Sequence, residues 1–428
     1  MKQIIFISLL LITAAVFSYS VSVLYSWFKL TRKSCPIRQI WKRILNTMEY
    51  AIFQKSIFRN PVAGFMHALV FWGFLVILVG SIEVIIDGVV GLDKSLSFLG
   101  IFYNILMAAG DISAYVIAVF IVIFIIRRCC MDIKRLHGKE LSKKNHQDAY
   151  LALTLILVLM ITLMGMNVFY VLSQPDFVGK YPVSEFVAPV FSFISLETKH
   201  LIFEISWWSH IILIFLFANI LPYSKHFHIF MSIPNVFLGR LDVLGKIHNM
   251  ECITREVKIM MNPEAAFSAS SDGVQTPERF GVLDAEDVNW KNYLDSLTCT
   301  QCGRCASVCP ANLTGKELSP RKLFIDLRKR MKEKGNHIIS EGKEFNDGKC
   351  LSGDIISLPE IWACTTCNAC AKECPLSINH PSFIIDMRRY LVMEKSAAPA
   401  ELNAIFANIE NNGAPWQYSK DDRLKWTE

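Results

Sequence analysis

Five apolar stretches fill the first half of this chain, at approximately residues 3–28, 62–86, 98–126, 149–172 and 201–222. Each is long enough to cross a bilayer, which takes about 20 residues as a helix. Lipid offers the backbone no hydrogen-bond partners, so such segments can only be helices packed as a bundle, with membrane lipid as their first neighbour. The chain has 428 residues and is 52% hydrophobic, but beyond about residue 222 it reads as an ordinary soluble chain. The first stretch has a cleavable signal peptide as its alternative. Its long apolar run, the single Lys2 before it and the lack of a small-x-small site favour a retained helix.

The loops orient the bundle. Lys29, Arg32, Lys33, Arg38, Lys42, Arg43, Lys55 and Arg59 follow the first stretch, and Arg127, Arg128, Lys134, Arg135, Lys139, Lys143 and Lys144 follow the third. The intervening loops carry Lys94 in one, and Lys180 and Lys199 in the other. Positive loops stay inside, so the expected topology is a multi-pass protein of the cell inner membrane, with its N-terminus outside and everything after the fifth helix cytoplasmic. The net charge of +6 is concentrated in these loops, and nothing in it calls for nucleic acid.

Eight of the 13 cysteines fall in two tight runs. Cys299, Cys302, Cys305 and Cys309-Pro310 form C-x2-C-x2-C-x3-C-P, and Cys364, Cys367, Cys370 and Cys374-Pro375 form it again. Clustered thiols in a chain of this size point to metal in a reducing compartment rather than to disulfides. Three thiolates at this spacing let one loop wrap three corners of a cubane, and the fourth ligates the neighbouring cluster. The expected sets are Cys299, Cys302, Cys305 and Cys374 for one [4Fe–4S] cluster, and Cys364, Cys367, Cys370 and Cys309 for the other. Structural zinc also uses paired C-x2-C units, but has no use for a third close cysteine and a Cys-Pro, repeated. The remaining cysteines, 35, 129, 130, 252 and 350, read as ordinary reduced thiols.

The expected fold is all-α: a five-helix transmembrane haem b bundle over 1–228, a connector over 229–284, a helical ferredoxin domain with two clusters over 285–395 and a polar tail over 396–428. Pro234, Gly239, Gly245, Pro263 and the patch Ser268-Ala-Ser-Ser-Asp-Gly273 interrupt the connector. Ser319-Pro320 predicts a helix start, with Ser319 as cap and Gly335 as its end, and Pro381 starts another that ends near Lys395. The two helices carry Phe324-Ile-Asp-Leu-Arg328 and Ile384-Ile-Asp-Met-Arg388, each after a cysteine run. One unit is thus repeated, which implies two copies of one site.

Histidine within a membrane helix is costly and marks function. His67 lies near the inner end of the second apolar stretch, His210 within the fifth, and His228 just beyond Pro222. The interval from His210 to His228 is 18 residues, five turns of a continuous helix, which sets both on one face and His226 nearly opposite. His67 and His228 sit at similar depth, as axial ligands of one haem must. Asp111, Glu83 and Glu204 are either carriers of quinone protons or polar groups satisfied within the bundle.

Two resemblances follow from these residues. Phe65-Met-His67, His210 and Pro222-Tyr-Ser-Lys-His-Phe-His228 resemble the gamma subunit of respiratory nitrate reductase and the cytochrome b subunit of membrane-bound heterodisulfide reductase. That resemblance implies His67 and His228 as ligands of an inner haem b. It also implies His210 as one ligand of an outer haem, whose partner would stand where this chain has Ile77. Leu297-Thr-Cys-Thr-Gln-Cys-Gly-Arg-Cys305 through Arg388, with Asn408-Ile-Glu-Asn-Asn-Gly-Ala-Pro-Trp416, resembles the ferredoxin-like part of heterodisulfide reductase and anaerobic glycerol-3-phosphate dehydrogenase subunits. In those proteins such a tail leads into cysteine-rich C-C-G domains that handle the substrate. The resemblance therefore implies a soluble C-C-G type iron–sulfur partner.

The expected activity is that of an oxidoreductase subunit, passing electrons between quinone and a cytoplasmic iron–sulfur partner. No nucleophile, nucleotide loop or flavin fingerprint suggests substrate chemistry on this chain. The alternatives are a membrane redox sensor or scaffold, and the anchor of a dehydrogenase that reduces quinone.

Overall fold

The apolar stretches form helices that run past both faces of a bilayer core. In a computed structural model, which describes residues 1–32, 37–262, 279–342 and 344–428, they are α1 (Lys2–Leu30), α3 (Pro61–Val90), α4 (Ile101–Cys130), α5 (Lys143–Ser173) and α7 (Leu196–Ile220). All five are long and apolar enough to span a membrane, and they expose large apolar side chains such as Leu11, Phe102 and Ile161 outward. Helix α3 packs on α4, α4 on α5 and α5 on α7, and α1 closes the bundle against α3 and α7. Between the spans lie two short helices, α2 (Ile40–Thr47) between α1 and α3 and α6 (Pro182–Val187) between α5 and α7. Cys35, Pro263 and the Ser268–Gly273 patch lie outside the described residues.

Local chemistry explains the limits of these helices. Asn60 accepts from the Ala63 amide at 3.3 Å and Pro61 opens the first turn of α3, while Gly91, at φ 80°, closes it. At the outer end, Asp111 of α4 accepts from Asn167 of α5, from the Val183 and Ser184 amides and from the Ser184 hydroxyl. This carboxylate staples α6 to the bundle. Glu204 pairs with Lys2 at 2.7 Å on the outer surface. Both therefore follow the structural alternative rather than the proton-carrying one.

The fifth span departs from the expected continuous helix. It stops at Ile220, passes through two tight turns, Leu221–Tyr223 and Lys225–Phe227, and restarts as α8 (His228–Phe237). Pro222 has no amide to continue the ladder, so the five-turn register from His210 to His228 does not apply.

After the connector helix α9 (Glu251–Met261), the second half is built from α10 (Trp290–Thr298), α11 (Pro320–Glu341), α12 (His380–Met393) and α13 (Ala400–Asn412), with single helical turns beside each cysteine run. Among the described residues there is no sheet, and only isolated bridges pair extended backbone. Helices α11 and α12 meet through Phe324 and Phe383, 5.5 Å apart, in a core shared with Leu297, Leu351 and Ile361. The segment from Val282 belongs to this core: the Val282 amide donates to Asp386 and the Ser352 amide to Leu283.

Three expectations about α11 and the tail are corrected. Helix α11 runs through Gly335 and ends at Gly342, because Trp27 of α1 occupies the space a side chain at 335 would need; a Cβ there would lie 2.8 Å from the indole. Ser319 does not cap α11; its hydroxyl donates to Glu140 at 2.7 Å. The tail contains a whole helix, α13, entered at Pro399 and closed by Gly413.

Anchor and second half share one apolar core, in which Leu24 and Trp27 of α1, with Leu221 and Phe227, pack among Leu323, Leu327 and Met331. Polar bonds reinforce the joint. The Trp27 indole donates to Asn336 at 3.0 Å, and the Arg32 amide and carbonyl bond Val288 and Trp290.

Candidate metal and haem centres

The two cysteine loops adopt the same backbone. Gln301 and Gly303 in the first have φ of 58° and 75°, and Thr366 and Asn368 in the second have 54° and 59°. Left-handed residues at matching places curl each loop so that its cysteines face inward, and the Thr366 amide points at the Cys364 sulfur, 3.4 Å away. Gly303 is also needed for space, since a Cβ would fall 2.2 Å from the Arg135 carbonyl.

The thiols influence one another in two groups. Burial, then the thiolates of Cys299, Cys302 and Cys374, push the Cys305 thiol far up, and Cys370 acts across from the other group. Burial, then Cys302 and Cys299, raise Cys374. In the second group, burial followed by Cys364, Cys309 and Cys367 raises Cys370 to about 12, and burial with Cys309 and Cys367 raises Cys364. Cys309 of the first run thus acts on the second group, and Cys374 of the second run on the first.

Among the described residues, no three His, Cys, Asp or Glu side chains close around a point as ligands of a single ion. Thiolates at the corners of a four-iron cubane stand much farther apart than the ligands of one ion. Thiols that hold their protons this firmly ionise when metal neutralises the charge. The donor set therefore fits clusters better than zinc.

The three histidines present one feature in common. His67 Nδ1 lies 3.2 Å from the Gln54 side-chain oxygen, His228 Nδ1 3.2 Å from the Lys225 carbonyl and His210 Nδ1 3.1 Å from the Leu159 carbonyl. An acceptor on Nδ1 places the proton there and leaves Nε2 as the ligand atom. His228 lies within electrostatic reach of His67, so the restart at α8 brings the pair together despite the broken register. Burial lowers His228, and burial followed by His228 lowers His226 to about 3, so both are neutral. Contrary to the expected opposite placement, the His226 ring lies 6.0 Å from that of His228. The sequence signal for this was Pro222, which breaks the helix on which the opposite placement relied. His67 and His228 thus both present Nε2 as a donor atom, the chemistry a haem iron takes.

His210 has different surroundings. Its cavity, shared with Ile77, Glu83, Lys94, Asp111 and Tyr181, holds about 50 Å³. That is room for a water or two, not for a porphyrin. Ile77 offers no ligand atom, so a second haem does not fit there. Glu83 accepts from the Leu96 amide and the Tyr103 hydroxyl and faces the cavity.

One guanidinium joins the two centres. Arg304, beside Cys305, donates to the Ser56 carbonyl at 3.0 Å, and its charge reaches His67. Arg135 donates to the Cys302 carbonyl, and Asn145 to the Gln301 side chain. Arg328 of α11 donates to the carbonyls of Pro222 and Ser224, just before the histidine pair. These contacts were not legible in the sequence, where each is one cation or amide among many.

Residues 298–378 match the 4Fe-4S dicluster domain family. The chain is 28% identical to the probable iron-sulfur-binding oxidoreductase FadF of Bacillus subtilis, with 96% of this chain and 58% of that protein covered. It is 26% identical to the EtfAB:quinone oxidoreductase of Syntrophomonas wolfei, with 91% and 54% covered. A protein of Archaeoglobus profundus named for its likeness to a heterodisulfide reductase subunit is 26% identical over 30% of this chain and 58% of its own length. The chain thus spans a little over half the length of these relatives. No solved structure matches. Fold and comparisons together describe a five-helix membrane anchor carrying a 4Fe-4S dicluster domain.

Proposed function

We propose that the chain is a membrane-bound electron-transfer subunit working between quinone and an iron–sulfur partner on the cytoplasmic side. Cys299, Cys302, Cys305 and Cys374 would hold one [4Fe–4S] cluster and Cys364, Cys367, Cys370 and Cys309 the other. His67 and His228 would hold haem b. Bound, these groups supply one-electron chemistry. The observation that carries the reading is Arg304, which sits beside Cys305 and donates to the Ser56 carbonyl just ahead of α3, the helix that carries His67. One side chain thereby bridges the inner end of the bundle and the first cysteine loop, as a relay between them requires.

The residues divide the work. Gln54 and Lys225 fix the imidazole tautomers, and Arg135 and Arg304 hold the first loop against the anchor. Cys367 is exposed, which favours the second group as the face where a partner docks. The tail also exposes Trp416, Tyr418 and Trp426, and a polypeptide with C-C-G cysteines is the partner we propose. Glu83 is the candidate to exchange a proton with quinone. The name EtfAB:quinone oxidoreductase pairs a donor with quinone, and it favours electron entry at the exposed loop and delivery to quinone.

The test is a visible and EPR spectrum of the full chain purified in mild detergent. Haem b and about eight irons per chain are expected, at four per cubane. Quinol should reduce the haem. Stoichiometric zinc without iron, or a haem silent to quinol, overturns the proposal.

A further inference from the structure

A cleft of about 570 Å³ opens between α2, the stretch that follows α8 and the dicluster domain, from the second cysteine loop to the start of α12. Seven Lys and Arg side chains line it against three Asp, and Thr366 and Asn368 of the second cysteine loop stand at its edge. The carboxylates are already engaged: Asp295 with Lys291 at 2.5 Å, Asp386 with Arg389 at 2.8 Å and Asp242 with Lys246 at 3.0 Å. The remaining cations have no such match. Among the described residues, Arg38 and Lys42 pair with no carboxylate. Arg43 donates to carbonyls alone, those of Arg38, Phe237 and Gly239. Arg240 keeps two buried nitrogens, Nε and Nη2, without any hydrogen-bond partner, and its closest carboxylate, Asp242, is 4.0 Å away. Buried guanidinium donors without acceptors, beside other uncompensated cations, suit an anion with several oxygens.

Helix α2 indicates where that anion comes from. It leads toward α3 from the inner end of α1, and it turns Ile40, Trp41, Ile44 and Leu45 outward, with Trp41 70% exposed. Lys42 and Arg43, between them in sequence, line the cleft. A short helix with an aromatic and aliphatic outer face and a basic inner one lies in a membrane surface. We propose that the cleft binds the phosphate headgroup of an anionic phospholipid drawn from the surface on which α2 rests. Arg38, Lys42 and Arg240 would meet the phosphate oxygens, and the acyl chains would lie along the apolar face of α2. Lipid would then be a third contact between anchor and dicluster domain, independent of the cluster and haem assignments.

The test uses the full chain in detergent and counts retained lipid by native mass spectrometry, titrating phosphatidylglycerol, phosphatidylcholine and inorganic phosphate. Phosphatidylglycerol should be retained preferentially. The exposed pair Arg38→Gln and Lys42→Gln should weaken it about thirtyfold, at about 1 kcal/mol per cation near an anionic surface. Arg240→Gln should add to that loss, with cluster absorbance as the check that each variant is folded. Equal retention of phosphatidylcholine, displacement of phosphatidylglycerol by an equal concentration of inorganic phosphate, or undiminished binding by the folded double variant overturns the proposal.

Discussion

The two cysteine loops share a backbone and differ in what faces them. Around the first, Gly303 admits the Arg135 carbonyl, Arg304 reaches Ser56, and Arg321 of α11 bonds Glu140 at 2.7 Å. At the matching places the second has Asn368, whose side chain bonds back to Thr366, and Ala369. The paired helices diverge in the same way. Arg328 donates to the anchor, whereas Arg388 donates to the carbonyls of Ile361, Trp362 and Cys364 within its own domain. Shortly after Arg328, Arg330 and Lys334 converge on Asp284; the equivalent positions after Arg388 are Tyr390 and Glu394. The repeat therefore preserves the loop that would hold a cluster, while its outer residues make one half a plug for the membrane anchor and leave Cys367 of the other exposed.

The largest effect that tests this comparison is exchange of the fourth cysteine. Cys374→Ser should cost the cluster built on the first run and Cys309→Ser the one built on the second, each lowering iron from about eight to about four per chain. Loss of each run's own cluster instead would break the symmetry of the pair. Next comes the haem, which belongs to the plugged side alone. His67→Ala or His228→Ala should abolish the pyridine haemochrome signal while iron stays constant, and His210→Ala should leave both unchanged. A His67 variant with full haem would refute the ligand pair.

Stability should be asymmetric too. Arg330 is 1% exposed and bonds Asp284, Asp347 and the Lys349 carbonyl. Arg330→Met strands buried carboxylate charge and should cost about 3–5 kcal/mol in denaturant unfolding. Tyr390→Phe, at the matching position, should stay within about 0.5 kcal/mol. The smallest difference is at the joint with α1. Gly335→Ala should cost about 1–3 kcal/mol, because Trp27 must move, whereas Lys395→Ala, its exposed counterpart, should be near neutral. Equal costs in the two halves would mean that the anchor contact contributes nothing to the fold.

Features set by neighbours along the chain were legible before the fold was known. The five spans follow from runs of apolar residues, and the two loops from cysteine spacing and Cys-Pro ends. The start of α11 at Pro320 follows from its ring, since each of these rests on interactions a few residues apart. Where an inference needed a continuous helix it failed: Pro222 interrupts the ladder, and His226 ends beside His228 rather than opposite. Helix α13 was missed for a related reason, because a Pro399 start and Gly413 end around a polar helix give little apolar periodicity.

The sequence by itself determined a five-span anchor, two cysteine loops of one design and histidines at the inner end. Only the tertiary structure decided that Gly335 is a seat for Trp27 rather than a stop, that Arg328 serves the anchor and Arg388 its own domain, and that Arg304 joins the cysteine loop to the Ser56 carbonyl ahead of α3. The physical reason is range. A helix or a metal-binding loop is specified by contacts within a few residues, but an arginine's role depends on which carbonyl the folded chain brings to it, here from 24 to 248 residues away.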